Sequence, residues 1–496
     1  MAKKTDKPRL AIAGPGAGKT HTMVDEIVKI LPSLRPHQML AAITFTNAAA
    51  ETIRNRLQKQ ARVRGNVFIG TTHTFVNRFV LSPCATLFGK LPDDRIFAAI
   101  DVHAKGTGAA MYTKNLIRKG IVPFDAMFPV ARELLSDKII RDRLGQRIAH
   151  LFVDEFQDTD IAMLEIIDQL RKNGTTRLYA VGDPEQFVMG FTYRGTSIPA
   201  FDKLPFFRFQ KLAEADSLLD NHRSNGEIVA FTNQFRSDLQ QKAIKPHRNE
   251  PRVLFITECD LKTIVSVFQS RSHHVEIHGP TRVRLYLSEE NATFASVMDE
   301  FGMKHSSNLG RKTATALGDA LELIATALDR SQRRACADLK LSRLQWRAAG
   351  IVVLKGALRE DFGLKELEAF VAARFKHKVS DSRGPILEEG LAQLKNHLAM
   401  GHVSNHPEQC ASIRRAKGLE ADAVLAVAKG LAELKKWFST DRAVRNADKQ
   451  DKCRIGYVAF TRPREMLCIA CLKPIDAELK SLLNSLGVHV VSSSAL

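Results

Sequence analysis

The chain has 496 residues, 44% of them hydrophobic and 26% charged, which is the balance of a folded globular protein and not of a disordered one. Lys and Arg outnumber Asp and Glu by 73 to 54, a formal net charge of +19, and this excess favours a polyanionic partner because each neutralised phosphate releases counterions. Its apolar runs are shorter than the ~20 residues of a membrane-spanning helix, its start is polar and basic, and its seven cysteines are scattered, so we expect a reduced, cytoplasmic protein without membrane contact.

Short apolar strands alternate with helices through the first 200 residues. Strands are predicted at 9–13, 40–44, 67–70, 150–153 and 177–181, and helices at 19–31 and 48–57. This alternation is typical of a parallel sheet with helices on both faces. The segment 82–135 interrupts the pattern and is a candidate small insertion.

A second α/β set is predicted to begin near residue 206, with strands at 252–256, 283–287, 423–427 and 466–471. Between about 300 and 400 the sequence is rich in Ala, Leu, Lys, Arg and Glu at helical spacing, which indicates a mainly helical insertion. The predicted fold class is therefore α/β, with two parallel-sheet domains that are each interrupted by an insertion.

A glycine-rich turn lies between the first predicted strand and the first predicted helix. Backbone N–H groups in such a turn, together with a helix N-terminus, surround phosphate oxygens. Lys19 is placed to reach the β- and γ-phosphates, and the Thr20 hydroxyl to hold Mg²⁺. The sequence therefore predicts a nucleotide site formed by Gly14, Pro15, Gly16, Ala17, Gly18, Lys19 and Thr20.

Two adjacent carboxylates, Asp154 and Glu155, follow the predicted strand at 150–153. At the end of a parallel strand, Asp154 can complete the Mg²⁺ shell, and Glu155 can act as the general base for the attacking water. The alternative, two solvated acids at a strand end, leaves the phosphate loop in the same chain without a catalytic partner. The two motifs together favour an NTP-hydrolysing enzyme over a simple binding module.

Further motifs make the chain resemble UvrD/Rep-type superfamily 1 DNA helicases, and the resemblance extends from residue 13 to about residue 471. The Asp-Glu-Phe-Gln-Asp run at 154–158 is the second motif of that group. The other matching segments, in the family's order, are at 42–50, 70–75, 182–186 (Gly-Asp-Pro-Glu-Gln), 221–224 (Asn-His-Arg-Ser), 416–420 (Ala-Lys-Gly-Leu-Glu) and 458–462 (Val-Ala-Phe-Thr-Arg).

The resemblance implies two RecA-like motor domains with ATP and Mg²⁺ in the cleft between them. The first would comprise 1–81 and 136–205 with the insertion 82–135, and the second 206–299 and 401–496 with the insertion 300–400. In the family, Gln186 senses the γ-phosphate, while Arg223 and Arg462 act as arginine fingers. Glu420 would lie near the ribose, and His222 stands where a Tyr normally stacks on adenine.

The resemblance also implies contacts with single-stranded DNA and duplex junctions. Bases would stack on aromatic side chains, for which the candidates are Phe45, Phe191 and Tyr193. Thr72, His73 and Arg414 are candidates for the phosphates. The implied activity is ATP-dependent translocation or unwinding, in the 3′ to 5′ direction of this family.

Some features depart from the family pattern. None of the 13 residues before Gly14 is the glutamine that reads adenine in the family, and Arg414 replaces the usual His. Both insertions look short, as in compact helicase-like subunits that accompany a nuclease, some of them in anti-phage defence. The alternative function is therefore a DNA-responsive ATPase subunit that regulates a partner nuclease.

Two other clusters are interpreted as structural. Cys468 and Cys471 have metal or redox spacing but lie within an apolar strand, where cysteine packs well. His273, His274 and His278 could suggest a metal, but the sequence shows no Cys or acidic pair that completes a site. A basic loop is the favoured interpretation.

Overall fold

The computed structural model describes residues 7–63, 65–84, 98–100, 109–118, 121–123, 126–188, 199–247, 249–279, 281–305, 316–330, 332–359, 361–399 and 406–493. Within these ranges the chain forms two compact units. One comprises 1–305 and 407–496 and contains both large sheets, and the other comprises 306–406.

The first sheet has six parallel strands in the order β3-β2-β6-β7-β1-β8. Its strands are β1 (Arg9–Ala13), β2 (Met39–Thr44), β3 (Val67–Thr71), β6 (Ile148–Val153), β7 (Arg177–Gly182) and β8 (Glu214–Leu218). Successive residues of a strand point to opposite faces. Leu151 accordingly packs in the apolar core on one face and Phe152 in the core on the other.

Helices cover both faces of this sheet. They are α1 (Lys19–Ile30), α2 (Asn47–Gln60), α3 (Thr72–Val76), α5 (Met127–Ser136), α6 (Lys138–Arg147), α7 (Ile161–Lys172) and α8 (Pro205–Gln210). Side-chain oxygens of Thr46, Asp137 and Asp160 accept backbone N–H groups at the starts of α2, α6 and α7, as expected of N-caps. The segment between α3 and α5 contains β4 (Ala98–Ile100), α4 (Ala109–Arg118) and β5 (Ile121–Pro123).

The second sheet has seven parallel strands in the order β13-β14-β12-β15-β16-β11-β17. They are β11 (Val253–Ile256), β12 (Arg284–Ser288), β13 (Lys304–His305), β14 (Glu408–Ser412), β15 (Ala421–Ala428), β16 (Pro463–Cys471) and β17 (His489–Val491). The helices of this part are α9 (Gly226–Asn233), α10 (Leu261–Ser272), α16 (Leu431–Trp437), α17 (Arg442–Ala447), α18 (Lys452–Phe460) and α19 (Ala477–Ser485). Between the sheets, β9 (Asp220–Asn221) pairs with β10 (Lys242–Ala243) in a short ribbon.

The unit 306–406 is helical in its described residues. It contains α11 (Ala316–Ala327), α12 (Gln332–Asp338), α13 (Arg343–Ala357), α14 (Leu364–Phe375) and α15 (Gly384–Ala399). Its apolar core includes Trp346, Leu367 and Leu387. A capping box between Ser342 and Gln345 begins α13, so the local sequence fixes that helix start.

The predicted α/β class with two parallel sheets is confirmed, and every predicted strand is present, with ends that differ by at most three residues. The expectation that the second α/β set begins near 206 is wrong, because α8 packs in the core of the first sheet and β8 pairs with β1. The sequence of β8, Glu-Ala-Asp-Ser-Leu, is polar and mostly exposed, so it lacks the apolar pattern of an inner strand. In the described part of the chain, no helix has both the length and the hydropathy to cross a bilayer.

Candidate nucleotide and nucleic-acid site

The phosphate loop joins β1 to α1. Gly16 and Gly18 have φ of 72° and 76°, a left-handed backbone that residues with a Cβ rarely adopt. The Lys19 Nζ donates to the carbonyl oxygens of Ala13 (3.3 Å) and Gly14 (3.4 Å). Burial lowers the pKa of Lys19, although Glu155 and Asp183 oppose that shift. The loop thus combines a partly buried amine with a helix N-terminus, a donor set that fits phosphate.

Thr20 and Asp154 meet next to this loop. The Thr20 Oγ1 donates to Asp154 Oδ2 at 3.2 Å, and Asp154 is 4% exposed. Burial, followed by the neighbouring Glu155 charge, raises the pKa of Asp154 to about 7. A hydroxyl from the first turn of α1 and a carboxylate that follows β6 are oxygen donors of the kind that Mg²⁺ prefers, so these two predicted metal ligands fit the ion.

Glu155 has a φ of 51°, which is strained for a residue with a side chain and is a feature of functional sites. Its Oε2 accepts from Gln157 Nε2 at 2.6 Å. Burial by itself would raise the pKa of Glu155, but the charges of Lys417 and Lys19 outweigh it and hold that pKa below the usual value. Glu155 is therefore ionised at neutral pH, as a general base must be.

Gln186 and Arg462, from different sheets, are in direct contact. Gln186 follows β7, Arg462 precedes β16, and Arg462 Nη2 donates to Gln186 Oε1 at 2.9 Å. Burial and the nearby Arg223 charge lower the pKa of Arg462 to about 9. The structure thus brings together two residues that are 276 positions apart in sequence.

Arg223 and Glu420 form an ion pair within the second set of motifs. Arg223 Nε lies 2.8 Å from Glu420 Oε2, and Arg223 Nη1 donates to Thr461 O at 3.0 Å. The other Glu420 oxygen lies 2.6 Å from Arg464 Nη2. Despite its burial, the two guanidinium groups lower the pKa of Glu420 to about 2. In this arrangement Glu420 positions Arg223, a contact that the sequence did not indicate.

His222 is exposed, and its backbone N–H donates to Gly16 O at 2.9 Å. The preceding Asn221 donates through Nδ2 to Pro15 O at 2.9 Å. These bonds hold the ribbon of β9 and β10 against the phosphate loop. The role of the His222 ring in stacking on adenine stays a prediction.

Gln241 also contacts the phosphate loop, and sequence reasoning missed it. It is 7% exposed, and its Nε2 donates to Pro15 O at 3.0 Å. Its backbone is held by Asn233, whose amide bonds both Gln241 N and Gln241 O. A Cβ at Gly14 would lie 2.4 Å from Gln241 Cδ. Gln241 belongs to none of the recognised motifs, so no local signal pointed to it.

On the nucleic-acid side, Phe45, Thr72 and Phe128 line one small cleft together with Asp154 and Glu155. Phe45 is 37% exposed, whereas Thr72 is buried. The aromatic candidate Phe45 and the phosphate candidate Thr72 therefore lie beside the carboxylates.

His73 packs on Phe128 with ring centroids 4.5 Å apart. Burial lowers the pKa of His73 to about 4, so its imidazole is neutral at pH 7. The other two aromatic candidates, Phe191 and Tyr193, lie outside the described residues.

Arg414 is engaged by the protein itself. Its guanidinium donates to Val188 O and to Gln450 O, the latter at 3.2 Å, and it lies 3.7 Å from Asp451 Oδ2. A phosphate contact by Arg414 would therefore compete with these three acceptors.

Outside this region, Cys468 and Cys471 are buried free thiols in β16, as expected. The statement that no acidic pair accompanies His278 is wrong, because Glu276 and Glu465 lie with it in one cluster. The Lys245 Nζ lies 3.2 Å from both His278 Nε2 and Glu465 Oε1, so an ammonium group already neutralises the buried carboxylate. The pairing arises from tertiary contacts that spacing could not reveal.

Comparison with known proteins gives consistent relatives. An AAA domain model (AAA_19) matches residues 2–192. The chain is 32% identical to Gabija protein GajB of Bacillus cereus (strain VD045) over 264 residues, 50% of each chain. It is 25% identical to DNA helicase II of Escherichia coli (strain K12) over 277 residues, 45% of this chain and 37% of the relative. The chain thus spans half or less of the length of these curated relatives.

A solved structure, that of PRRSV helicase, aligns with 96% of this chain and 54% of its own at 12% identity and a TM-score of 0.33, and no conclusion is based on this likeness. The ordered motifs, the two parallel sheets and the sequence relatives agree with one another. They show that the matched part of the chain is similar to the UvrD/Rep-like superfamily 1 helicases.

Proposed function

We propose that this protein is an ATP-driven translocase on single-stranded DNA that moves 3′ to 5′ and can open duplex junctions. The observation that carries the proposal is the 2.9 Å hydrogen bond between Gln186, beyond the first sheet, and Arg462, before the second. A phosphate sensor and a guanidinium from two domains make hydrolysis depend on closure of the cleft. Repeated closing and opening then becomes stepping along a strand.

The residues of the first sheet would bind ATP and activate water. Lys19 and the α1 N-terminus hold the phosphates, and Thr20 with Asp154 holds Mg²⁺, which when bound neutralises charge on the β- and γ-phosphates. Glu155 accepts a proton from the attacking water. The lowered pKa of Glu155 supports this role, because the carboxylate is in the basic form at neutral pH.

The second sheet would supply Arg462 and Arg223 to the γ-phosphate as charge builds on it. An arginine finger is worth ~10³–10⁵ in rate. Arg223 would exchange its contact with Glu420 for the phosphate. The Glu420 carboxylate would keep its second partner, Arg464, and its 41% side-chain exposure to water.

On the DNA side, Phe45 would stack on a base, and Thr72 and His73 would contact the backbone. Each stacked base contributes ~1–3 kcal/mol and is read without sequence preference. Phe45, Thr72 and Glu155 line the same cleft, which supports a direct coupling between ATP hydrolysis and DNA binding. A shift at the end of β6 would move Glu155 and change its position relative to the DNA-binding side chains. The net charge of +19 supports a polyanionic track.

The test is steady-state ATP hydrolysis with and without single-stranded DNA, with Glu155→Gln as the blank. We expect strong stimulation by DNA and a loss of kcat of at least ~10³-fold in Arg223→Ala, with DNA binding intact. Unchanged hydrolysis in Arg223→Ala contradicts the finger assignment. Streptavidin displacement from strands labelled at either end then measures direction, and displacement only from the 3′ end contradicts 3′ to 5′ movement.

A second candidate is a DNA-responsive ATPase subunit that regulates a partner nuclease and unwinds little. The match with Gabija protein GajB over half of each chain and the small helical unit of 306–406 favour it. A strand-displacement assay on a tailed duplex, with and without the nuclease, separates the two functions. Unwinding by the chain alone supports the translocase, and nuclease activity gated by ATP without unwinding supports the subunit.

A further inference from the structure

Arg236 lies three residues beyond α9 and belongs to none of the recognised motifs. Its side chain is 0% exposed, and each of its five N–H donors has an acceptor. Nη1 and Nη2 reach the two Asp183 oxygens at 3.5 and 3.2 Å. The remaining donors reach Asp238 (3.1 and 3.0 Å) and the Tyr457 hydroxyl (3.0 Å).

This ion pair crosses from one sheet domain to the other. Arg236 and Tyr457 lie with the second sheet, next to Phe235 in its apolar core, whereas Asp183 follows β7 of the first sheet. The Asp183 side chain is also 0% exposed. A buried charge is tolerated only when it is paired and fully hydrogen-bonded, so this pair is complete only when the two domains are in contact.

Asp183 in turn holds the γ-phosphate sensor. Its Oδ2 accepts from Gln186 Nε2 at 2.8 Å, while Gln186 Oε1 accepts from Arg462 at 2.9 Å. Because the amide nitrogen is bound to a carboxylate, the amide oxygen is the atom that faces the guanidinium. The orientation of Gln186 therefore depends on a carboxylate whose own position depends on Arg236.

Asp183 is also linked through Gln157 to Glu155, the predicted general base. The Asp183 backbone N–H donates to Gln157 Oε1 at 2.9 Å, and Gln157 Nε2 donates to Glu155 Oε2 at 2.6 Å. A shift of Asp183 is thus transmitted to Glu155 as well as to Gln186. Of the charged second-domain side chains described, Arg236 is the one bound to Asp183 by both of its terminal nitrogens.

We propose that Arg236 is an interdomain positioning residue, which fixes Asp183 on domain closure and thereby aligns Gln186 with the finger Arg462. The proposal rests on the ATPase function proposed above for the same site. In this proposal, the buried Arg236–Asp183 pair couples closure of the two domains to the position of Gln186 at the γ-phosphate. This coupling is separate from the direct action of the arginine fingers.

The test is the substitution Arg236→Met, which keeps the length and apolar volume of the stem and removes the charge. We expect kcat for DNA-stimulated ATP hydrolysis to fall ~10–100-fold, as misplacement of a catalytic group by ~1 Å does. KM for ATP and binding of a fluorescent ATP analogue should change less than about threefold, because Lys19 and Thr20 are untouched. Asp238→Asn is the matched control, since it removes the charge of the partly exposed partner of Arg236 and leaves Asp183 bound, and it should retain most of kcat.

A purely structural role would give the same fall in kcat, so the double variant with Gln186→Ala decides. If Arg236 acts through Gln186, Arg236→Met lowers kcat little further in the Gln186→Ala background. Multiplicative losses overturn the proposal, as does a kcat within twofold of wild type in Arg236→Met. If Arg236→Met does not fold, as judged by circular dichroism, Asp183→Asn keeps the side-chain shape and serves in the same comparison.

The two proposals fail in different ways. A wild-type chain that hydrolyses no ATP, with or without DNA, overturns the proposed function and this inference with it. An active wild type in which Arg236→Met and Gln186→Ala act independently overturns this inference alone.

Discussion

Gly14→Ala tests the contact between the phosphate loop and Gln241. A Cβ at Gly14 would lie 2.4 Å from Gln241 Cδ, 2.6 Å from Oε1 and 2.7 Å from Nε2, all closer than non-bonded atoms approach. The φ of Gly14 lies outside the left-handed region, so the backbone itself accepts alanine. The whole effect should therefore come from displacement of the Gln241 amide.

The magnitude follows from the bonds that the displaced amide loses. Gln241 donates to Pro15 O at 3.0 Å and accepts from Asn221 Nδ2 at 3.3 Å. At ~0.5–1.5 kcal/mol for each net hydrogen bond, Gly14→Ala should lower the free energy of unfolding by about 1–3 kcal/mol. Gln241→Ala loses the same two bonds and should lower it by a similar amount.

The double variant distinguishes this reasoning from a general defect in the loop. Because the new methyl group would occupy the space left by the amide, Gly14→Ala with Gln241→Ala should be no less stable than Gln241→Ala alone. Urea unfolding and the Kd for a fluorescent ATP analogue measure the coupling. Gly16→Ala is the comparison, since its φ of 72° is strained whatever Gln241 does. Additive losses in the double variant would refute the proposed contact.

Three further outcomes are expected. His73→Gln should weaken binding to single-stranded DNA without changing the slope of log K against log salt concentration, because a side chain with a pKa of about 4 is neutral and releases no counterion. A slope whose magnitude is smaller by about 0.7 would mean that His73 is charged. Gly456→Ala should lower the free energy of unfolding by about 1–3 kcal/mol, because its Cβ would lie 2.7 Å from the Trp437 Cα, whereas Gly279→Ala in urea unfolding should stay within about 0.5 kcal/mol of wild type; equal values for the two contradict the close packing of α16 and α18. Cys468, whose thiol pKa burial raises to about 12, should resist iodoacetamide at pH 8 in the folded protein and react in urea, and reaction of the folded protein would place this thiol outside the core.

The polar cluster of Lys245, His278 and Glu465 illustrates how burial changes the meaning of a sequence pattern. Spacing alone left three histidines that lacked a metal partner. The fold adds a carboxylate that is 1% exposed and an ammonium that neutralises it. His278 is thus one of two partly exposed partners of a buried carboxylate in the second sheet domain.

The sequence by itself determined the features that depend on neighbours along the chain. A glycine-rich turn after an apolar strand specifies the phosphate loop, and an apolar strand that ends in two acids specifies Asp154 and Glu155. Strands buried on both faces are continuous apolar runs, so β2, β6 and β15 were visible in the sequence. The polar edge strand β8 was not, because its pairing with β1 satisfies backbone groups without an apolar side-chain pattern.

Only the tertiary structure decided which distant residues share the site. Arg236 and Asp183 are 53 positions apart, and Gln241 and Pro15 are 226 apart, and neither pair falls within a local motif. A hydrogen bond between such residues depends on strand order and on how the two sheet domains meet, and no periodicity records either. The sequence therefore located the chemical groups of the nucleotide site, whereas folding determined the contacts that orient them. The reason is that buried charges and amides need hydrogen-bond partners, and the fold decides which residues are close enough to serve.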